Sequence, residues 1–305
     1  MHNRGVILRA RVVKCATQSV SDSVLASQFL CSAALHTKAV RNMFPAAARL
    51  RGCQPRRLIT TSAAAPTSVP RVLPPRTTTI EQHEWDYTAV LIDKPKTWTS
   101  FDVCAKLRSA IGVRKLKVGH AGTLDPMATG LLILCTGKGT KAIDSFQAQD
   151  KMYVGVLRLG EATPSYDAET EVTERSPWEH LTDEQIQQAA DELTGSILQE
   201  PPMYSALKKN GVALYTLARQ GETVQREPRR LHVARFAVWR LTPGQDVHFE
   251  VACSKGTYVR SLAHDLGRKL GTHAHLTALC RTRIGDYDLA SAWALPDLVA
   301  ACRPK

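Results

Sequence analysis

Hydrophobic and polar positions along this chain follow two different periods. Apolar residues recur at every second position from Val247 to Cys253 and fill the run from Leu131 to Cys135, which indicates strands buried on one or both faces. From Tyr258 onward they recur at three- and four-residue spacing instead, which predicts an amphipathic helix. The two kinds of element mix without regular strand–helix alternation. We therefore expect an α+β domain.

Local signals predict the ends of further elements. Thr182, with Gln185 three positions later, forms the pattern of a capping box, which predicts a helix from about Asp183 to Leu193. Ser100 is the predicted N-cap of another helix, which Gly112 closes. The predicted strands are Thr88 to Ile92, Leu131 to Cys135, Lys151 to Leu159, Leu231 to Leu241 and Val247 to Cys253.

Charge is distributed unevenly over the 305 residues, of which 44% are hydrophobic. The formal net charge is +12, but residues 1 to 80 contain twelve Lys or Arg and a single acid, whereas the remainder contains 28 basic and 27 acidic residues. The basic character therefore belongs to the leader and is no evidence that the folded part binds RNA. No apolar run approaches the length of about 18 residues that a membrane-spanning helix needs.

The leader has the composition of a targeting segment. It is rich in Arg, Ala, Ser and Thr and ends in a proline-rich stretch from Pro66 to Pro75. This resembles an organellar transit peptide, with Arg56 to Ala63 as the processing region. Arginine frequency favours the mitochondrion, with the chloroplast as the alternative. A second interpretation is a disordered basic arm that binds RNA through phosphate contacts.

Cysteine and glycine patterns argue against a metal or nucleotide cofactor. The eight cysteines include no C-x-x-C pair, and no Cys/His cluster has zinc-ligand spacing, so we expect small core residues in a reducing compartment. The segment from Gly137 to Thr140 is too short for a phosphate-binding P-loop. No cofactor is therefore expected.

The loop between Lys117 and Gly130 concentrates residues suited to chemistry. It contains several glycines, one histidine and a single carboxylate, Asp125. Pro126 biases Asp125 away from helical geometry, and glycines allow positive φ and close backbone approach. Because the apolar run from Leu131 follows at once, we expect a stiff turn that presents Asp125 beside the core. An ordinary Asp-Pro turn is the alternative interpretation.

This loop and four further sequence blocks resemble those of one protein family. Gly119 to Pro126 resembles the signature loop of the bacterial TruB family of tRNA pseudouridine synthases, in which the aspartate is catalytic. The resemblance covers about residues 88 to 295 and implies the pseudouridine synthase fold, a central, mainly antiparallel mixed sheet flanked by helices and loops, formed by residues 81 to 305. The further blocks, in the family's order, are Asp93-Lys94-Pro95, Lys151-Met152-Tyr153, Pro202 to Lys208 and Cys253 to Arg260.

The resemblance implies roles for individual residues. Asp125 would be the catalytic group for converting uridine to pseudouridine, a reaction that breaks the N-glycosidic bond and rejoins the base through carbon. Tyr153 matches an aromatic residue that stacks on the target base, and Arg260 matches the basic partner that holds the aspartate charged. Tyr258 and Leu279 match positions that line the base pocket.

Contacts to RNA are implied for a second set of residues. His120 matches a loop histidine that contacts RNA around the flipped nucleotide, and its flanking glycines are expected to leave it exposed. Lys94, Lys208 and Lys255 are candidate phosphate contacts. The implied substrate is the T-loop of tRNA, with uridine 55 as target, and other structured RNA is a further candidate. No membrane or obligate protein partner is implied, and a monomer is expected.

Other functions are weighed against this one. Family members commonly continue into a small PUA-type RNA-binding domain, which is not expected here because the chain stops at Lys305. A catalytically silent RNA-binding module is disfavoured by the presence of both Asp125 and Arg260. A carboxylate-dependent glycosidase is disfavoured because the nearest acid downstream of Asp125 is Asp144. The missing PUA-type domain disfavours a guide-RNA-dependent synthase.

Overall fold

The computed structural model describes residues 69–75 and 80–302. The strands are β1 (Arg71–Leu73), β2 (Tyr87–Lys94), β3 (Val118–His120), β4 (Thr129–Gly137), β5 (Lys151–Leu159), β6 (Glu161–Ala162), β7 (Glu174–Arg175), β8 (Gly195–Gln199), β9 (Lys208–Lys209), β10 (Val212–Ala213), β11 (Arg229–Trp239), β12 (Asp246–Cys253), β13 (Ala274–Ile284), β14 (Tyr287–Asp288) and β15 (Trp293–Ala294). The α-helices are α1 (Ser100–Ile111), α2 (Ile143–Ala148), α3 (Asp183–Asp191), α4 (Leu214–Arg219), α5 (Val259–Lys269) and α6 (Leu295–Ala301).

A mixed sheet of eleven strands organises these elements. Its main path runs β1-β2-β4-β13-β5-β12-β11-β8, while β3, β14 and β15 pair with β4, β13 and β2 respectively. The pairs β1–β2, β4–β13 and β2–β15 are parallel and the other pairs are antiparallel. The predicted α+β class and mainly antiparallel mixed sheet are confirmed.

Apolar residues cover both faces of the sheet at β2 and β4. The larger cluster joins α1, α3, α5 and α6 to alternate strand residues, for example Leu262 of α5 and Phe249 of β12. A smaller cluster includes Leu91 of β2, Leu131 of β4 and Phe146 of α2. Because successive strand residues point to opposite faces, β2 and β4 must be apolar at consecutive positions to serve both clusters. This explains the uninterrupted apolar run in β4.

Several predicted elements have the predicted ends. β5 begins at Lys151 and ends at Leu159 as expected. The capping box of α3 is present, with Thr182 Oγ1 accepting a hydrogen bond from the Gln185 amide at 3.3 Å. Gly112 ends α1 in the left-handed conformation with φ of 69°. These features depend on residues close in sequence, which is why the sequence could predict them.

Two helix ends differ from the prediction. Thr99, and not Ser100, caps α1, since Thr99 Oγ1 accepts a hydrogen bond from the Asp102 amide at 3.0 Å. The Ser100 hydroxyl instead accepts a hydrogen bond from the Leu124 amide at 2.9 Å and so ties α1 to the glycine-rich loop. The end of α3 lies at Asp191, two residues before the prediction.

The folded part begins earlier than residue 81. Leu73 is fully buried, and β1 pairs in parallel with β2. The Ile80 amide donates a hydrogen bond to the Ala301 carbonyl at 3.3 Å. The predicted boundary at residue 80 is therefore wrong for this short segment, while residues 1–68 and the proposed processing region lie outside the described residues.

The lengths of the described helices and the burial of the described cysteines are those of a folded domain with an apolar core. Within residues 69–75 and 80–302, no helix is long and apolar enough to cross a bilayer. The cysteines described there are free thiols, and most are buried in the core as small apolar residues. They are Cys104, Cys135, Cys253, Cys280 and Cys302.

Candidate active site

Asp125 lies in the loop between β3 and β4 with about a third of its side chain, 32%, exposed. It forms the contact with Arg260 that the sequence predicted. Arg260 Nε lies 2.9 Å from Asp125 Oδ2, and Arg260 Nη2 donates to Asp125 Oδ1 at 3.2 Å. This forked geometry fixes the orientation of the carboxylate as well as its charge.

Arg260 is buried in the first turn of α5, with 5% of its side chain exposed. It is enclosed by protein. Its Nη1 donates to the Ser165 carbonyl at 3.1 Å and its Nη2 to the Tyr204 carbonyl at 2.8 Å, while Nε lies 3.6 Å from Asp167 Oδ2. A buried guanidinium needs such partners, because an unpaired charge in the interior is strongly destabilising.

Asp167 is a site residue that sequence reasoning missed. Its side chain is 1% exposed, and its Oδ1 accepts hydrogen bonds from the Ser165 hydroxyl at 2.5 Å and from the Glu169 amide at 2.9 Å. Distance along the chain points to Asp144 as the nearest downstream acid, but Asp144 is exposed on α2. No local signal marks Asp167, which reaches Asp125 only through Arg260. It is fully bonded within the protein, so it is not a second free acid of the glycosidase kind.

Opposing influences act on the ionisation of Asp125. Removal from water raises the pKa of its carboxyl above the ordinary value, the positive charge of Arg260 lowers it, and the negative charge of Asp167 raises it. The guanidinium is therefore the group that favours the ionised carboxylate in this partly desolvated position.

Lys94 does not contact solvent, so the predicted phosphate contact is wrong. Its side chain is fully buried, and Nζ donates to the carbonyl oxygens of Trp98 at 2.6 Å, Pro95 at 3.1 Å and Pro126 at 3.5 Å. Burial lowers the pKa of Lys94 to about 8. Lys94 thus holds the main chain directly after Asp125.

Arg281 of β13 holds the other side of the same loop and was also missed from the sequence. It is 1% exposed, and its guanidinium donates to the carbonyl oxygens of Leu131 at 2.7 Å, Gly122 at 3.2 Å and Thr123 at 3.4 Å. These contacts join residues about 150 positions apart in the chain, so spacing could not reveal them.

The two predicted pocket tyrosines, Tyr153 and Tyr258, are near enough to Asp125 to feel its charge, and Leu279 shares a sheet face with Tyr153. Tyr153 of β5 and Leu279 of β13 are buried, and the register that pairs Leu279 with Gly155 puts both side chains on one sheet face. Tyr258 is half-buried immediately before α5. Burial raises the pKa of both tyrosine hydroxyls, and the nearby charge of Asp125 raises it further in each. The arrangement offers an aromatic and apolar wall beside a carboxylate.

The remaining predicted RNA contacts differ in exposure. His120 ends β3, which pairs with β4, and is half-buried, not exposed as its flanking glycines suggested. Burial and the charge of Arg281 lower the pKa of His120 below its ordinary value. Lys208 and Lys255 are exposed and accessible to phosphate groups.

Among the described residues, no group of three or more His, Cys, Asp or Glu could hold a metal ion.

Two family models match adjacent segments of the chain. The model described as TruB family pseudouridylate synthase (N terminal domain) matches residues 108–259, and that described as tRNA pseudouridylate synthase B C-terminal domain matches residues 260–304. Their junction falls within the first turn of α5. Since β13 from the second segment lies between β4 and β5 from the first, the described parts of both segments share one core.

Similar proteins bear names of the same kind. The tRNA pseudouridine synthase B of Flavobacterium johnsoniae is 47% identical over 208 residues, which cover 67% of this chain and 90% of the relative. That of Bacteroides thetaiotaomicron is 46% identical over 207 residues, covering 66% and 86%. A solved chain from a Cbf5-Nop10-Gar1 complex is 30% identical with a TM-score of 0.54, and the match covers 69% of this chain but only 53% of that one. The chain belongs to the TruB family of pseudouridylate synthases.

Proposed function

We propose that this chain isomerises uridine to pseudouridine in tRNA, with uridine 55 of the T-loop as the target. The observation that carries the proposal is the forked ion pair of Asp125 with Arg260 beside Tyr153, Tyr258 and Leu279. Relatives named tRNA pseudouridine synthase B, matched over most of their length, support tRNA as the substrate class.

The isomerisation exchanges one bond of the uracil base for another. The bond between N1 and the ribose C1′ breaks, a bond between C5 and C1′ forms, C5 loses a proton and N1 gains one. No electron acceptor or group donor is needed. The target base must leave its stack to reach a carboxylate, and we assign Tyr153 and Leu279, which share one sheet face, as the residues that contact the extruded base. Asp125 supplies the ionised group that acts on the nucleotide, and Arg260 keeps it ionised.

We also propose that the chain acts as a monomer, without a cofactor, inside an organelle. The ion pair of Asp125 with Arg260 forms within one chain, which supports a site that a single copy can form. The arginine-rich composition of the leader supports import, with the mitochondrion favoured over the chloroplast.

The Asp125→Asn variant should lose pseudouridine formation by at least about 10³-fold, because it keeps the side-chain shape and removes the charge. Its dissociation constant for tRNA should stay within a few-fold of the wild-type value. Release of tritium from C5-labelled uridine measures turnover, and Asp144→Asn, at an exposed acid of α2, is the matched control. Near-normal turnover by Asp125→Asn would refute the assignment.

The Arg260→Ala variant should show a turnover deficit that grows as the pH falls. Without the guanidinium, the pKa of Asp125 rises further, so the ionised carboxylate is lost at a higher pH than in the wild type. The ratio of variant to wild-type single-turnover rates should therefore increase with pH. For Lys208→Ala, at an exposed lysine, we expect weaker tRNA binding and a ratio independent of pH. The same flat ratio for both variants would contradict the ionic role of Arg260.

Chemical mapping of pseudouridine in unmodified organellar tRNA tests the reaction and its position together. Incubation with the full chain should place the product at uridine 55, and a transcript with cytidine at that position should gain none. The product elsewhere in both transcripts would refute the T-loop assignment, and its absence from both would refute the activity.

Removal of the leader should flatten the salt dependence of tRNA binding without abolishing modification. Residues 1 to 68, which this truncation removes, contain ten basic residues and one acid, so the full chain should release more counterions from RNA phosphates. The truncated chain should begin at residue 69, because β1 belongs to the sheet. Loss of modification by this folded, truncated chain would show that the leader is a functional RNA-binding arm and would favour that interpretation over a transit peptide.

A further inference from the structure

Two of the site residues lie at the first turn of α5. Tyr258 is the N-cap residue, with φ of −94° and ψ of 108°, and Arg260 follows two positions later. No side chain of the cap itself accepts a hydrogen bond from this turn. The conformation of Tyr258 decides where its ring lies in the pocket and how α5 presents Arg260 to Asp125. The helix holds the Tyr258 carbonyl, which accepts a hydrogen bond from the Leu262 amide at 3.1 Å, so the Tyr258 amide needs a partner from another group.

Gln199, the last residue of β8, supplies that group. Its side chain is buried, with the residue only 1% exposed. Its Oε1 accepts a hydrogen bond from the Tyr258 amide at 2.8 Å, and its Nε2 donates to the Tyr258 carbonyl at 3.1 Å. A neutral carboxamide has an acceptor oxygen and a donor nitrogen. It can therefore bond both the amide and the carbonyl of one residue.

We infer that Gln199 is a positioning residue for the proposed isomerisation, acting on the reaction through Tyr258 and the first turn of α5. The inference rests on the proposed function. Gln199 is itself held in the sheet by the pairing of β8 with β11, where it lies opposite Arg229. A rigid strand therefore sets the position of Tyr258, which otherwise precedes the helix as part of a loop.

The segment after Gln199 bonds to the same helical turn. Ser261 Oγ donates to the Glu200 carbonyl at 3.0 Å, and Arg260 Nη2 donates to the Tyr204 carbonyl at 2.8 Å. Side chains of α5 thus bind carbonyl groups of this segment. Gln199 makes the converse contact, in which a side chain of the segment binds the main chain of Tyr258. Misplacement of reacting groups by about 1 Å can cost about 10²-fold in rate, so small shifts here should be measurable.

The chain offers a matched control in Gln187 of α3. Its Oε1 accepts a hydrogen bond from the Val238 amide at 3.2 Å, and its Nε2 donates to the Phe236 carbonyl at 3.4 Å. It therefore makes the same kind of paired contact to a main chain, but to β11 and to none of the site residues. A general loss of stability from a missing glutamine should affect both variants.

Replacement of each glutamine by methionine removes its main-chain hydrogen bonds at similar side-chain volume, and at Gln187 it also removes the bond from Nε2 to Asp191 Oδ1 at 2.7 Å. Gln199→Met should lower the single-turnover rate on tRNA by about 10-fold or more, with the tRNA dissociation constant within about 3-fold of wild type. Gln187→Met should leave both quantities within about 2-fold. Equal losses in the two variants, or a loss that appears only in tRNA affinity, would overturn the inference.

Replacement of Gln199 by glutamate gives a second test, in a variant whose side chain has nearly the same size and shape as glutamine. A protonated carboxyl reproduces both hydrogen bonds, whereas an ionised carboxylate can only accept, and burial raises the pKa of such a group. The ratio of Gln199→Glu to wild-type turnover should therefore rise as the pH falls, opposite to Arg260→Ala. Nearby charges are Glu200, paired with Arg226, and Arg229 opposite Gln199; both are also present in the wild type. A pH-independent ratio would overturn the inference.

Amide hydrogen exchange at Tyr258 separates failure of this inference from failure of the proposed function. Exchange at Tyr258 should be faster in Gln199→Met than in the wild type and unchanged in Gln187→Met. Unchanged protection in Gln199→Met would overturn the inference even if the enzyme is active. Absence of turnover by the wild-type chain would refute the proposed function and the catalytic purpose of Gln199, while faster exchange would still show that Gln199 holds Tyr258.

Discussion

The ion pair between Asp125 and Arg260 is the interaction on which the rest of the site depends. A buried guanidinium is tolerated only where its donors are matched, and removal of one partner leaves an uncompensated charge. The donors of Arg260 reach the Asp125 loop, the loop of Ser165 and Asp167, and the carbonyl of Tyr204. One side chain thereby sets the relative positions of three segments. The position of Asp125 follows from this network more than from its own turn.

Two further buried cations explain how an irregular loop can lie against the core. Main-chain carbonyl groups in a buried loop need partners, because no strand ladder supplies them. Arg281 satisfies Gly122 and Thr123 from one side, and Lys94 reaches Pro126 from the other. Both cations therefore interact with partial negative charges of the backbone. The loop is held at its two ends, and the carboxylate between them is left free to face Arg260 and the pocket.

Close approach of β13 also fixes the sequence of this region. Gly130 pairs with Arg281 across the parallel strands and has φ of 98°. A Cβ atom at this position would lie 2.4 Å from the Arg281 carbonyl oxygen, so a larger residue would push β13 and its guanidinium away. Glycine is therefore required here by backbone conformation and by space. The sequence shows this glycine, but it does not show that β13 packs against it.

The sequence predicted features that depend on near neighbours and missed those that depend on register. β5, the capping box of α3 and the left-handed Gly112 all follow from residues within a few positions of one another. Asp125 and Arg260 were found through a family resemblance, and the structure brings them together. Asp167, Arg281 and Gln199 were missed because each acts on residues brought near by the sheet. Lys94 was misjudged for the same reason, since burial is a property of the folded chain.

Because several cations are buried, the net charge counted from the sequence overstates how strongly the folded part attracts RNA. Residues 81 to 305 contain 28 basic and 27 acidic residues. Lys94, Lys151, Arg260 and Arg281 are buried, whereas Asp167 is the acid buried among the described residues. The solvent-facing charge is therefore less basic than the sequence count, and overall attraction cannot bring RNA to this domain. Productive binding must depend on individual exposed cations such as Lys208 and Lys255 and on the shape of the pocket, which favours recognition of a folded loop over recognition of a phosphate backbone in general.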